Sequence, residues 1–324
     1  MSDATARLLA VDLKAIEEAA ERVRDVAWRT PLVPASRDED GRLLMKMEAL
    51  QRTGSFKIRG AWNRMSRATM EERARGFVTV SAGNHGQAVA WSARKLGAPC
   101  TVWVPEGAVR RKVESMESMG AVVRTRPHEE IMDAMRTTEL PFADGATYVH
   151  PFGDPLVLAG QGTVGLEVAR SVGDVGTVLV PVGGGGLSSG VATAVKAVHP
   201  RAKVYGVQAE GAAPLPRSFA SGHAEDVGAP KTFADGMAAT RVFDYMWPVL
   251  RARLDGAFAV SDDELRRAVV HLAKESHVVA EGAGAAGLAA AWKHRAELAE
   301  PIVCVVSGGN LDAALLGRFL SEPS

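Results

Sequence analysis

Thr177-Val178-Leu179-Val180-Pro181-Val182 runs straight into Gly183-Gly184-Gly185-Gly186 and then into Leu187–Val198, and this stretch decides the fold class. Its first part is a short β-branched apolar run, of the kind buried on both faces of a parallel sheet. Its last part is an amphipathic stretch of helical length. The four glycines between remove every Cβ, so successive backbone N–H groups can turn inward on one anion, backed by the positive end of a helix. The loop reads as a phosphate cradle, because a plain turn needs one or two glycines; a tight strand–helix turn is the competing reading. A dinucleotide-binding turn would want G-x-G-x-x-G and an acid after the next strand. Glu210 supplies the acid, but Ser188 stands where the third glycine belongs. A nicotinamide enzyme stays open as the reading from a different class.

Outward from this segment the same alternation continues. Strand-like runs fall at Leu44–Met47, Phe77–Val80, Thr101–Val104, Ala121–Arg124, Lys203–Gln208 and Ile302–Val306. Helical patterns fall at His85–Leu96, Arg110–Met119, Gly162–Ser171, Asp262–Glu275 and Gly284–Arg295, with Ser261 and Glu264 forming a capping box. Alternation from end to end calls for mostly parallel sheets covered by helices, and the number of elements calls for two α/β units. Glu210 to Val249 is the least regular stretch and reads as a long functional or mobile loop.

Composition narrows the function classes. In 324 residues, 47% are hydrophobic and 23% charged, which is ordinary globular usage and excludes disordered, fibrous and disulfide-scaffold proteins. Lys+Arg and Asp+Glu both total 38, so no global field draws the protein to nucleic acid or an anionic membrane. Cys100 and Cys304 each lie beside a β-branched apolar run and read as buried, inert thiols in a reducing compartment. The first residues lack an apolar signal core, and the most apolar stretch, Val278–Trp292, is broken by Glu281 and glycines. The protein therefore reads as soluble and cytoplasmic. The eight histidines form no H-E-x-x-H motif, no Cys/His cluster appears, and neither does a G-x-S-x-G elbow, so no metal is expected.

Three further segments could carry chemistry. Ser81-Ala82-Gly83-Asn84-His85-Gly86-Gln87 joins a strand to a helix, where a carboxylate could dock on backbone N–H groups; Ser81 or Asn84 as an ordinary N-cap is the alternative. Lys57 sits between Phe56 and Ile58, with Gly54 before and Gly60 after. Desolvation there would favour the neutral amine that attacks carbonyls, although a lone lysine is usually a solvated charge. Val305-Val306-Ser307-Gly308-Gly309-Asn310 is another strand end, where Ser307 could cap a helix or meet a bound ring.

Taken together, these segments resemble the fold-type II pyridoxal-phosphate enzymes, in particular the threonine/serine dehydratase (threonine ammonia-lyase) and serine racemase group. Seven stretches match in the family's order: GSFKIRGA (54–61), SAGNHGQ (81–87), AGQGTVGLEV (159–168), GGGGL (183–187), TFADGMA (232–238), EGAGA (281–285) and SGGN (307–310). The resemblance implies a two-domain, tryptophan synthase β-like fold. Residues 1–57 and 149–324 would form a large cofactor-binding domain, and 58–148 a small mobile domain closing over the substrate. Lys57 would hold the cofactor as a Schiff base and act as base on Cα–H. Gly183, Gly184, Gly185, Gly186 and Leu187 would bind the phosphate, Asn84 the ring hydroxyl, and Ser307 the pyridine nitrogen. Phe56 would pack on the ring, and Glu281 is placed among the cofactor-binding residues. Ser81, Ala82, Gly83, Asn84 and His85 would take the substrate carboxylate.

The implied reaction is β-elimination of L-threonine or L-serine to 2-oxobutanoate or pyruvate plus ammonia, by a homodimer. Racemases of the group carry a serine immediately before the Gly-Asn of this loop; Ala82 stands there and cannot transfer a proton. Relatives that bind a divalent cation use a Glu with a nearby Asp; Glu210 is present, but Pro216 replaces the second carboxylate. The segment Ala238–Trp247 departs from the commoner dehydratase pattern, which leaves another β-hydroxy amino acid such as hydroxyaspartate, or serine racemisation, as alternatives.

Overall fold

The computed structural model describes residues 1–36, 38 and 40–322; residues 37, 39, 323 and 324, which the expected larger domain includes, lie outside the described residues. The strands run in chain order as β1 (Leu32–Pro34), β2 (Leu43–Lys46), β3 (Phe77–Val80), β4 (Cys100–Pro105), β5 (Val122–Arg126), β6 (Thr147–Tyr148), β7 (Thr177–Pro181), β8 (Lys203–Ala209), β9 (Gly256–Val260) and β10 (Ile302–Val305). They form a six-stranded sheet, β1-β2-β10-β7-β8-β9, and a four-stranded sheet, β5-β4-β3-β6. Every pairing is parallel except β1 with β2. The chain thus begins the large sheet, leaves it to build the small one, and returns to finish the first. The expected α/β architecture with two sheets is what the chain forms.

The Val-rich strands β7 and β10 are buried throughout because helices cover both faces of the large sheet. One face carries the core of Leu158, Val164, Val191 and Val195 from the helices Pro155–Ser171 and Gly186–Val198. The other carries Leu265, Leu272, Ala286 and Leu288 from Asp262–Lys274 and Gly282–His294. Cys100 and Cys304 are buried and free, and burial pushes the Cys100 thiol up to about 12, so both are inert. Among the described residues, no helix is long and apolar enough to cross a membrane.

Three local expectations are corrected. The helix expected from Gly162 starts at Pro155, because the Asp154 carboxylate accepts from Leu156 and Val157 N–H and Pro155 suits the first helical turn. Its glycines do not break it; a Cβ at Gly160 would collide with the Arg59 carbonyl, and one at Gly165 with Val191 backbone, so they let helices pack at backbone distance. The stretch 210–249 is not one long loop. Pro214 opens a helix to Ser221 that Gly222 ends at φ +83°, so those turn residues are helix boundaries. Finally, β5 is an edge strand and largely exposed, not buried on both faces.

Candidate active site

Strand ends bring the singled-out residues together. β7 runs out into the glycine turn, β10 into Ser307, and β3 into Ser81, Ala82 and Gly83, after which helix Asn84–Leu96 begins. Lys57 is the first residue of helix Lys57–Met65. The turns after β3, β7 and β10 lie at the carboxyl ends of parallel strands, where α/β sheets open a crevice, and the start of the Lys57 helix faces the same crevice. They meet in one cavity of about 540 Å³, lined by Phe56 and Lys57, Ser81–His85, Gly183–Leu187, Glu281 and Ser307.

The glycine turn does two jobs. A Cβ at Gly184 would collide with the Phe152 ring, Gly185 has φ +91° against Leu250, and a Cβ at Gly186 would crowd Phe152 at 3.1 Å. Packing at Gly184 and backbone conformation at Gly185 therefore account for two of the four glycines, with crowding favouring a third at Gly186, which corrects the inference from their number. The backbone donors point to a ligand more directly. Among the described residues, no protein acceptor meets the N–H groups of Gly183 to Leu187, at the start of helix Gly186–Val198.

Lys57 Nζ donates to the Pro151 carbonyl at 2.9 Å and lies 5.3 Å from the centre of the Phe56 ring. Desolvation lowers its pKa from 10.5 to about 8, with Glu281 opposing the shift. The Glu281 carboxyl is itself raised to about 7 by burial and by the neighbouring Asp235. Asn84 Nδ2 donates to Glu281 Oε1 at 2.7 Å, and Asn84 Oδ1 accepts from Asn310 Nδ2 at 2.8 Å. Ser81 Oγ accepts from Gly83 N–H. His85 lines the cavity, yet its Nε2 is held by the Val149 carbonyl and burial keeps the ring neutral. What His85 offers an anion is therefore a place at a helix start, not a positive side chain. Ser307 is buried beside the Ser55–Gly308 bridge.

Two groups of site residues escaped the sequence reading. Arg59 is wholly buried and pairs with Glu48 (Nε–Oε2 2.8 Å) and Glu167 (Nη1–Oε1 2.6 Å), while Lys46 Nζ meets Glu167 Oε2 at 2.5 Å. This neutral quartet ties the Lys57 helix to β2 and to helix Pro155–Ser171. Arg59 and Glu167 do lie within two of the matched stretches, which is the signal that could have found them. The second group is the His150–Gly153 turn, whose Pro151 carbonyl holds Lys57. Glu210 pairs with Lys293, and among the described residues no group of three His, Cys, Asp or Glu is placed to hold a metal ion.

A desolvated amine, unpaired backbone donors at a helix start and a serine hydroxyl at one cavity suit an aldehyde-bearing ring with a phosphate tail. The residues therefore fit pyridoxal phosphate. The family described as pyridoxal-phosphate dependent enzyme matches residues 23–308. An L-threonine ammonia-lyase of Thermotoga maritima is 40% identical over 318 residues, covering 96% of this chain and 79% of that protein. The structure of maize serine racemase superposes with a TM-score of 0.87 at 34% identity, covering 95% of this chain and 96% of that one. The processed form of threonine deaminase isoform 2 from Solanum lycopersicum gives 0.86 at 34% identity, covering 95% and 86%. The nicotinamide alternative falls with these matches, and the chain belongs to the pyridoxal-phosphate-dependent enzyme family.

Proposed function

We propose that the protein is an ammonia-lyase that converts L-threonine, L-serine or both into 2-oxobutanoate or pyruvate and ammonia. The observation that carries this reading is the Lys57 amine, held by a backbone carbonyl at the cavity with its pKa depressed to about 8. When bound, pyridoxal phosphate supplies an electron sink for the pair released from Cα–H. Lys57 takes the Cα proton. The N–H groups of Gly183–Leu187 hold the phosphate, and those of the Ser81–His85 loop take the substrate carboxylate. Ser307 meets the pyridine nitrogen as a hydrogen-bond partner and cannot protonate it as a carboxylic acid would, which favours prompt loss of the β-hydroxyl. Asn84, braced by Glu281 and Asn310, faces the ring hydroxyl. Phe56 packs beside the ring. The β-hydroxyl and Cα–H leave as water, water is regained as ammonia departs, and the net change is loss of ammonia.

Ala82 supports elimination over racemisation, since a methyl group cannot return a proton to the opposite face of Cα. The cavity wall from helix His128–Arg136 presents Ile131, Met132 and Met135, and Lys112 nearby is held by Asp235. That wall suits a hydrogen or methyl at Cβ better than the second carboxylate of hydroxyaspartate. The reading includes closure of residues 58–148 over the substrate, and a cytoplasmic homodimer on the family resemblance. The test is the visible spectrum of the purified protein before and after L-threonine. A yellow band that shifts as 2-oxo acid accumulates is expected. A colourless protein that stays so with added pyridoxal phosphate would sink the assignment, and a yellow one indifferent to threonine and serine would sink the substrate.

A further inference from the structure

The turn that presents the Pro151 carbonyl to Lys57 is organised by a buried imidazole. His150 Nδ1 accepts the N–H groups of Phe152 at 3.2 Å and Gly153 at 2.7 Å. Two donors aimed at one ring nitrogen leave it unprotonated, so the single ring proton sits on Nε2. Burial lowers the His150 pKa to about 3, which keeps that tautomer at working pH. Nε2 faces Tyr245 Oη at 3.2 Å, and Tyr245 Oη donates onward to the Met135 carbonyl at 3.0 Å. The Met135 and Thr137 carbonyls also lie against the ring, so the imidazole and the Tyr245 hydroxyl together reach the end of helix His128–Arg136. Phe152, carried on the same turn, stacks on Tyr245 with an interplanar angle of 4° and packs on the glycine loop. Buried polar groups held in a fully satisfied chain fix one geometry in a way that apolar packing does not.

We infer that His150 and Tyr245 are positioning residues: His150 fixes the turn that holds Lys57, and Tyr245 ties that turn to the cavity wall at Met135. Tyr245 lies in the segment 238–247, so the part of the chain that departs from the commoner dehydratase pattern reaches the lysine through this pair. The two links can be separated. Asn at position 150 can still accept N–H groups two and three residues on, but it is too short to reach Tyr245. His150→Leu removes both links.

The first readout is the rate at which cofactor-free protein captures pyridoxal phosphate, followed by visible absorbance, with far-UV circular dichroism to establish folding. His150→Leu should slow capture about tenfold, while His150→Asn stays within about twofold of the parent. The second readout rests on the proposed threonine or serine activity. Tyr245→Phe and His150→Asn should each raise KM about tenfold with kcat within about twofold, and the double variant should be no worse than either single. A folded His150→Leu that captures cofactor at the parental rate overturns the Lys57 link. Unchanged KM in the singles, or multiplying effects in the double, overturns the wall link. If His150→Leu fails to fold, His150→Ala takes its place in the capture assay, where a parental rate overturns the Lys57 link, and the singles and the double still judge the wall link. If neither amino acid is turned over, the functional reading falls while the capture rates still judge the placement of Lys57.

Discussion

Lys57 must shed its proton to attack a carbonyl, and the protein arranges this by burial. The amine loses solvation at the cavity and its pKa falls from 10.5 to about 8, with Glu281 opposing. Glu281, desolvated and beside Asp235, is raised from 4.5 to about 7. Each shift carries a stability sign. Between pH 8 and 10.5 the folded protein binds fewer protons at Lys57 than the unfolded chain, so this lysine makes stability rise with pH across that window. Between pH 4.5 and 7 the folded protein keeps a proton on Glu281 that the unfolded chain releases, so this carboxyl makes stability fall as pH rises there. The reactivity of the cofactor-free protein toward an amine-acylating probe, mapped to Lys57 by mass spectrometry, should have its midpoint near pH 8. Glu281→Gln should lower that midpoint, because the opposing negative charge is gone. A midpoint near 10.5 would mean Lys57 is solvated and would remove the basis for its role. Lys57 stood out in the sequence only when GSFKIRGA was read together with the six other matched stretches, because apolar neighbours and flanking glycines by themselves leave a solvated charge as the usual reading. Its acceptor, Pro151, did not stand out, because the two lie 94 positions apart and only tertiary structure brings them together.

The helix Lys57–Met65 shows why an element can be hidden while its chemistry is visible. Gly60 interrupts its pattern, yet the glycine is there because a Cβ would collide with Gln161 on helix Pro155–Ser171. Close approach brings Arg59 into the quartet with Lys46, Glu48 and Glu167, a cluster whose members come from three separate stretches. No local periodicity predicts it. Burial opposes ionisation of Glu48, but the two hydrogen bonds from Arg59 and the charge beside it outweigh burial and hold the carboxyl below its ordinary range. Glu48→Gln would leave an uncompensated cation in the protein interior and should cost about 3–5 kcal/mol, read as a lower denaturant midpoint. A loss below about 1 kcal/mol would show that water reaches the cluster. By contrast, the segment 210–249 was misread in part: Pro214 and Gly222 bound a helix and Pro248 lies in the first turn of another, while Gly228 and Pro230 do sit in irregular backbone.

At the scale of the molecule the alternation of strands and helices revealed two α/β units, and glycine clusters at strand ends marked the crevice between them. The sheet order could not be read, because β10, at residues 302–305, inserts between β2 and β7 far from both in sequence. Nor could the contacts that bridge the units. Helix Arg110–Ser118, which belongs with the small sheet, reaches across the cavity mouth: Lys112 pairs with Asp235, and Arg111 donates to the Leu311 carbonyl at 3.1 Å. If residues 58–148 close over the substrate, these contacts form on closing and break on opening. The Asp235 carboxylate is 61% exposed, so screening keeps the pair weak, about 0.2–1 kcal/mol. That magnitude converts to a KM for L-threonine about 1.4- to 5-fold higher in Lys112→Ala, with kcat nearly unchanged, because a latch stabilises the closed complex without touching reacting atoms. Salt provides the matching control. About 0.5 M sodium chloride should weaken the pair in the parent and raise its KM similarly, while adding little to the variant. A fall in kcat at constant KM in Lys112→Ala would instead assign Lys112 to the chemistry, and an equal salt response in both proteins would place the electrostatic control of closure elsewhere on the cavity mouth.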